Sequence, residues 1–262
     1  MRMRALQRLG HQVLAVNTVE PWRQASWLQR QTQRRLQRGS VIHEINHWVL
    51  AAAREFKPHI VWADKQEYLS VETLHDLRTL GPRLLHFTPD PYFSLPWKRT
   101  SIMDEAISAF DVLLYCKSYE REQYQALNRC AIYMPLGYCD ETHRPLPSND
   151  LRWCCDVGFL GGWEPRRESL LGPVAKTGLN LKIWGSYWDF LQDGRWSLRR
   201  KVIMNQLAGG IPYAIHRRAD LAAAWQGDEV YGDDYARALT GSKISTGFLR
   251  ETWPDQHTTR TF

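Results

Sequence analysis

Three short segments hold the residue types that chemistry on a phosphorylated or hydroxyl-rich ligand would need. The first runs Asp156-Val157-Gly158-Phe159-Leu160-Gly161-Gly162-Trp163-Glu164-Pro165-Arg166-Arg167-Glu168 and reads as a strand, a glycine turn and a helix start. Gly161 and Gly162 let backbone N–H groups come close to a ligand, and a helix N-terminus favours an anion. Arg166 or Arg167 in the first turn could neutralise a diphosphate. Turns of this kind also close α/β units that hold no phosphate, so the residues leave a plain turn open as the alternative. The second segment is the final run, Asp255-Gln256-His257-Thr258-Thr259-Arg260-Thr261-Phe262. There Thr258 and Arg260 suit a phosphate or a hydroxyl-rich ligand, and a frayed tail is the alternative. The third is Thr88-Pro89-Asp90-Pro91-Tyr92: Asp90 follows a strand and so sits at the carboxyl edge of a sheet, where open α/β sheets bind ligands, though an ordinary turn would read much the same.

Other arrangements carry less. Gly232-Asp233-Asp234 precedes a helical stretch at 235–239 and reads as its cap rather than as a metal-binding carboxylate pair. The nine histidines show no HExxH or other ligand spacing, and neither GxSxG nor GxxxxGK[ST] occurs, so serine-hydrolase and P-loop chemistry lack support. Cys116, Cys130, Cys139, Cys154 and Cys155 are odd in number and form no CxxC pair; they read as reduced, mostly buried thiols in a reducing cytosol.

The elements that must position these residues follow α/β grammar. Apolar patches predict strands at 12–17, 59–63, 84–88, 112–116 and 131–134, with helices between them. Ile42, Ile45, Val49, Ala52 and Phe56 alternate spacings of three and four, which predicts a helix over 41–56 ended by Pro58. A second helix is expected over 70–80, capped by Ser70 and closed at Gly81-Pro82. The run Arg144-Pro145-Leu146-Pro147-Ser148-Asn149-Asp150 reads as a linker, which divides the chain into domains over 1–146 and 147–262. Beyond it strands are expected at 156–160, 181–184, 229–231 and 244–249, a helix at 165–177, and a loop-rich stretch at 186–227 with a short helix at 199–208.

The formal charge of +6 over 262 residues is concentrated at one end. Residues 1–40 hold Arg2, Arg4, Arg8, Arg23, Arg30, Arg34, Arg35 and Arg38 against the single acid Glu20, a balance of +7 that leaves −1 for the rest. Trp22, Trp27, Leu28 and Leu36 among them fit a basic amphipathic helix, either a solvated face or a peripheral contact with anionic membrane. Nucleic acid is not expected as a partner, since no helix-turn-helix, zinc-finger or RNP-type signature accompanies the charge. The chain has no apolar run near 18 residues and no secretory-type leader, so a cytoplasmic protein is expected, with a peripheral position on the inner face of the membrane as the alternative.

Taken in order, these segments resemble the spore maturation CgeB-like glycosyltransferase family. The similar features are Arg-Ala-Leu-Gln-Arg-Leu-Gly-His-Gln-Val at 4–13, Lys-Pro-His-Ile-Val at 57–61, Asp90-Pro91-Tyr92, and Met134-Pro135-Leu136-Gly137 with Arg144-Pro145. The segment 156–168, Val230-Tyr231-Gly232-Asp233-Asp234-Tyr235, Lys243-Ile244 and the closing 257–262 complete the series. The resemblance implies an α/β, GT-B-like architecture of two Rossmann-like domains with mainly parallel sheets facing across a cleft. It implies a hexosyltransferase-like enzyme that moves a sugar from a nucleotide-diphosphate-sugar to a glycan, protein or lipid-linked acceptor, with no metal and no cofactor beyond that co-substrate. In that picture Gly161, Gly162, Arg166, Arg167, Thr258 and Arg260 bind the donor, and Asp90 faces it from the acceptor side as the catalytic base. Look-alikes carry a strand and a glycine loop before the Arg-Ala-Leu helix, and an acidic ribose-binding helix after Arg-Thr-Phe. Both domains are therefore expected to be incomplete, with an unpaired sheet edge and reduced stability. The alternative is a non-catalytic sugar- or nucleotide-binding module on a degenerate GT-B scaffold.

Overall fold

The apolar spacing over 42–56 folds as expected into a helix, Ser40–Phe56, but its buried face is set by contacts as well as by period. Val41, Ile42, Ile45, Val49 and Ala53 are buried, whereas Phe56 at the last turn is exposed. Asn46 is buried on the same face. Its Nδ2 donates to the Ile42 and Tyr68 carbonyls at 2.7 and 2.8 Å, and its Oδ1 accepts from the Ser70 N–H at 2.9 Å, so one amide fastens the 68–70 loop to the helix. Lys57 closes the helix in a left-handed conformation, its N–H bonded to the Ala53 carbonyl at 2.9 Å.

The structure, a computed structural model, describes residues 2–95, 99–192, 197–207, 214 and 216–248. The chain divides into two compact units, Met1–Leu136 and Gly137–Phe262. In the first, helices α1 (Arg2–Arg8), α2 (Glu20–Gln24), α3 (Trp27–Leu36) and α4 (Ser40–Phe56) precede β1 (Ile60–Asp64), α5 (Val71–Thr79) and β2 (Arg83–Thr88). Helix α6 (Ser101–Ala106), β3 (Val112–Tyr115), α7 (Arg121–Leu127) and β4 (Ala131–Tyr133) follow. The four strands form a parallel sheet in the order β1-β2-β3-β4. Ser70 caps α5 as expected, its hydroxyl accepting from the Thr73 N–H. Leu74 and Leu77 of α5 pack with Leu84, Leu113 and Phe110, and Tyr115 stacks on Tyr124 at 4.7 Å. Each such fully buried side chain contributes about 1.5–3 kcal/mol.

The second unit carries β5 (Cys155–Leu160), α8 (Pro165–Ala175), β6 (Leu181–Trp184), α9 (Leu198–Leu207), α10 (Ala219–Ala224), β7 (Trp225–Gly227), α11 (Asp233–Thr240) and β8 (Ser242–Thr246). Its parallel sheet runs β7-β6-β5-β8 around a core of Val157, Phe159, Trp163, Leu171, Ile183 and Trp188. The architecture is thus α/β with two parallel sheets, compatible with a pair of Rossmann-like units. The proline-rich stretch at 144–150 belongs to the second unit, where the Leu146 N–H donates to Thr240 Oγ1 at 3.0 Å.

Several expectations are corrected. Residues 12–17 form no strand: a period-two pattern becomes a strand only through a ladder, and among the described residues this segment joins no sheet. Of its apolar side chains Val16 packs on the core, while Leu14 is exposed. The strand placed at 229–231 lies instead at 225–227, where Trp225 aligns with Ile183 and its Nε1 donates to the Gly185 carbonyl at 2.9 Å. Asp233 and Asp234 open α11 and pair with Arg237, while Gly232 holds the cap position. Only Cys116 and Cys155 of the five thiols are buried. No described helix is long and apolar enough to cross a membrane.

His86 of β2 is buried against Phe110, ring centroids 5.0 Å apart, with its Nε2 3.0 Å from the Gln66 carbonyl. Burial pushes its pKa from 6.5 to about 4, against the opposing pull of that carbonyl and of Asp64. The native state therefore holds a neutral ring while the unfolded chain takes up a proton. The first unit is expected to be at full strength above pH ~6.5 and to lose about 3 kcal/mol as pH falls toward ~4. His86→Gln keeps a donor for the Gln66 carbonyl but does not titrate, so its urea midpoint should fall less steeply with pH over that window. An unchanged slope would show that His86 is not the sensor.

Candidate active site in the second unit

In the sheet order β7-β6-β5-β8, the chain leaves β5 toward β6 and β7 on one side and returns to β8 on the other. Strand order reverses at the carboxyl end of β5, and the crevice outside such a reversal is where open parallel sheets bind ligands. Gly161 and Gly162 occupy that position. In the first unit the four strands follow chain order, so the described strands contain no such reversal.

The glycines answer first to the backbone around them. The Gly161 N–H donates to the Trp184 carbonyl at 2.8 Å, the Trp163 N–H to the Ser186 carbonyl at 2.9 Å, and Trp188 Nε1 to the Gly161 carbonyl at 2.9 Å. The turn after β5 is thereby laced to the loop after β6. Gly185 in that loop has φ +156°, and a Cβ there would lie 2.2 Å from the Gly161 carbonyl oxygen. The Gly185 N–H continues the lacing to the Gly227 carbonyl at 2.9 Å. Ser186 Oγ donates to Glu229 Oε1 at 2.7 Å, which joins the loops after β6 and β7. Tyr187, exposed beside them, holds a left-handed φ of 71°, a conformation that costs a non-glycine residue energy and that gathers at ligand sites.

With these N–H groups turned inward, the rim offers a ligand the start of α8. Glu164 is its N-cap but gives no side-chain cap, and Pro165 at the first position has no N–H to satisfy. The first-turn amides and the helix dipole make this end attractive to an anion. The two arginines there differ. Arg166 is exposed. Arg167 is only 7% exposed: its Nη1 donates to the Gly162 carbonyl at 2.8 Å and lies 3.5 Å from Glu164 Oε1, and its guanidinium sits over the Phe159 ring. Arg167 is thus turned into the fold as a brace for the turn. Glu168 is equally buried, taking Trp163 Nε1 at 2.8 Å, Arg218 Nη1 at 3.3 Å and a 2.8 Å contact from His216 Nε2.

Of the residues singled out in the sequence, Gly161, Gly162, Arg166 and Arg167 are gathered on this one turn. Thr258 and Arg260 lie outside the described residues. Asp90 belongs to the first unit, after the carboxyl end of β2. There its Oδ2 meets Lys65 Nζ at 2.7 Å, beside a cleft of about 440 Å³ lined by Arg34, Gln37, Lys65, Glu67, Arg99 and Thr100. Lys65, directly after β1, is left-handed with φ 51°. Ser186, Tyr187 and Glu229 escaped the sequence reading. Gly185-Ser186 after the strand 181–184 repeats the strand-then-glycine pattern of 160–161 and was the signal that could have found them.

Compared with protein-family models and with curated proteins, the chain matches none.

Proposed function

We propose that the chain is a GT-B-type glycosyltransferase that takes a nucleotide-diphosphate-sugar at the β5–α8 turn of its second unit. The observation that carries this is the coincidence, at the reversal of strand order, of a glycine turn, an uncapped helix start and an exposed Arg166. As the bond from the anomeric carbon to the diphosphate breaks, negative charge grows on the leaving oxygen. The first-turn amides of α8 and Arg166 stabilise that charge, while Arg167 keeps the turn in shape. Asp90, at the carboxyl edge of the first sheet, takes the proton of the acceptor hydroxyl. A second reading, a sugar- or nucleotide-binding module without turnover, is favoured by the closure of Asp90 on Lys65.

A thermal-unfolding panel with UDP, GDP, CDP and ADP against the monophosphates tests the site. One diphosphate should raise the transition selectively, and Arg166→Ala should weaken that response by about tenfold in affinity. Absence of any diphosphate response, or an unaltered one in Arg166→Ala, would remove the donor site. Donor hydrolysis then separates the two readings: turnover lost in Asp90→Asn supports the enzyme, and saturable binding without turnover supports the module.

A further inference from the structure

The arginine-rich first forty residues fold into more than one helix, and the structure divides their apolar side chains between two uses. Trp22 of α2 is buried with Val41, Ile42 and Ile45, under the guanidinium of Arg34 at 5.0 Å from its ring centroid. Trp27, Leu28 and Leu36, all on α3, are instead 68%, 63% and 68% exposed. At 100° per residue Leu28 and Arg35 lie together at the middle of the outer half of α3, with Trp27 and Leu36 at its two edges. The opposite side is fastened. Gln33 Oε1 accepts from the Val41 N–H at 2.9 Å and its Nε2 donates to Ser40 Oγ at 3.1 Å. Gln37, at the C-cap, accepts from the Ser101 hydroxyl at 2.7 Å and from the Ile102 N–H at 3.3 Å. A capping box at Ser26 and Gln29 fixes the other end. The helix is therefore held rigidly by its inner face, and its outer face puts a tryptophan and two leucines into water.

The charge around that face is of one sign. Arg35 and Arg38, both exposed, form no ion pair among the described residues, and the segment's one acid, Glu20, sits against Arg23. We infer that α3 is a docking helix for an anionic lipid bilayer, with Trp27, Leu28 and Leu36 entering the headgroup boundary and the exposed Arg35 and Arg38 meeting the acidic headgroups. Nucleic acid or another soluble polyanion would use the arginines but would leave the apolar trio in water, which is why a bilayer is the better fit. The inference stands apart from the donor chemistry, since α3 belongs to the first unit and donor binding to the second.

The test is sedimentation of the full chain with phosphatidylcholine vesicles and with phosphatidylcholine–phosphatidylglycerol vesicles, at low and high salt. Binding to the acidic vesicles alone, reduced by salt, is the expected result. Trp27→Ser with Leu28→Ser should reduce partitioning at least tenfold, and Arg35→Gln and Arg38→Gln about fivefold each. Leu36→Ser, at the far end of the helix, gives an independent variant, and circular dichroism verifies that each remains folded. Any of three results would overturn the inference: no binding to acidic vesicles, binding unaffected by the apolar substitutions, or equal binding to duplex DNA with the same dependence on Trp27 and Leu28. A dimer of the wild type that the same substitutions dissociate would assign the face to a second copy and overturn it too.

Discussion

Gly185→Ala is expected to destabilise the second unit by about 4 kcal/mol and to abolish any response to nucleoside diphosphates. The methyl group would be built 2.2 Å from the Gly161 carbonyl oxygen, 2.4 Å from its carbon and 2.9 Å from the Gly162 nitrogen, all backbone atoms with no rotamer to yield. The loop after β6 must then withdraw. Withdrawal breaks the Gly161-to-Trp184, Trp163-to-Ser186 and Trp188-to-Gly161 hydrogen bonds that shape the turn. Left-handed strain alone is a smaller effect, and Gly178→Ala measures it. Gly178 has φ +79° but nothing within 4 Å of a new Cβ, so its loss should be near 1 kcal/mol. Equal urea midpoints for the two variants would mean that the close approach of the loops does not hold the turn.

Glu120→Gln should cost the first unit about 4 kcal/mol, again read as a shift of the urea midpoint at constant slope. Glu120 is wholly buried. Its carboxylate accepts three backbone N–H groups, from Tyr92 at 2.9 Å, Phe93 at 2.9 Å and Ser94 at 2.7 Å. Bonds to a charged acceptor are worth about 1.5–3 kcal/mol each, and glutamine keeps one acceptor oxygen while aiming an amide N–H at the remaining donors. The loop so held is the one that follows Pro89-Asp90-Pro91. The variant should therefore also loosen the Asp90–Lys65 pair and, if the chain is the enzyme proposed, lower turnover more than donor binding. Glu122→Gln, exposed two residues further on in α7, serves as the control and should stay within about 0.5 kcal/mol of wild type. A loss no larger at Glu120 than at Glu122 would show that the carboxylate does not organise the loop.

Both residues mark the boundary of what could be read before the fold was known. Helix α5 was legible because everything that makes it lies within a dozen residues: Ser70 to cap, Leu74 and Leu77 to bury, Gly81-Pro82 to stop. The 156–168 segment was legible for the same reason, with strand, turn and helix start in one run. Glu120 looked like any surface acid, because its partners lie 26 to 28 residues earlier in the chain. Arg166 and Arg167 are neighbours of identical type, and only the position of Phe159 and Glu164 against α8 turns one inward and leaves the other in water.

The strands divide along the same line. Residues 12–17, Gln-Val-Leu-Ala-Val-Asn, carry the apolar content that reads as a strand, whereas 225–227, Trp-Gln-Gly, carry only one large apolar residue. Trp225 found an edge in β6 while 12–17 joined none among the described residues, because a strand's hydrogen bonds are all made to another part of the chain. Local spacing, turn chemistry and charge were enough for the α/β class, most helices, the glycine turn and the basic first forty residues, since propensity and periodicity act over one or two turns of chain. Tertiary contact alone decided which strand lies beside which, that order reverses at β5, that the loops after β5 and β6 close on each other through Gly185, and that Trp22 is covered while Trp27 is not. Each of those depends on atoms brought together from distant positions, whose burial and pairing no short window of sequence contains.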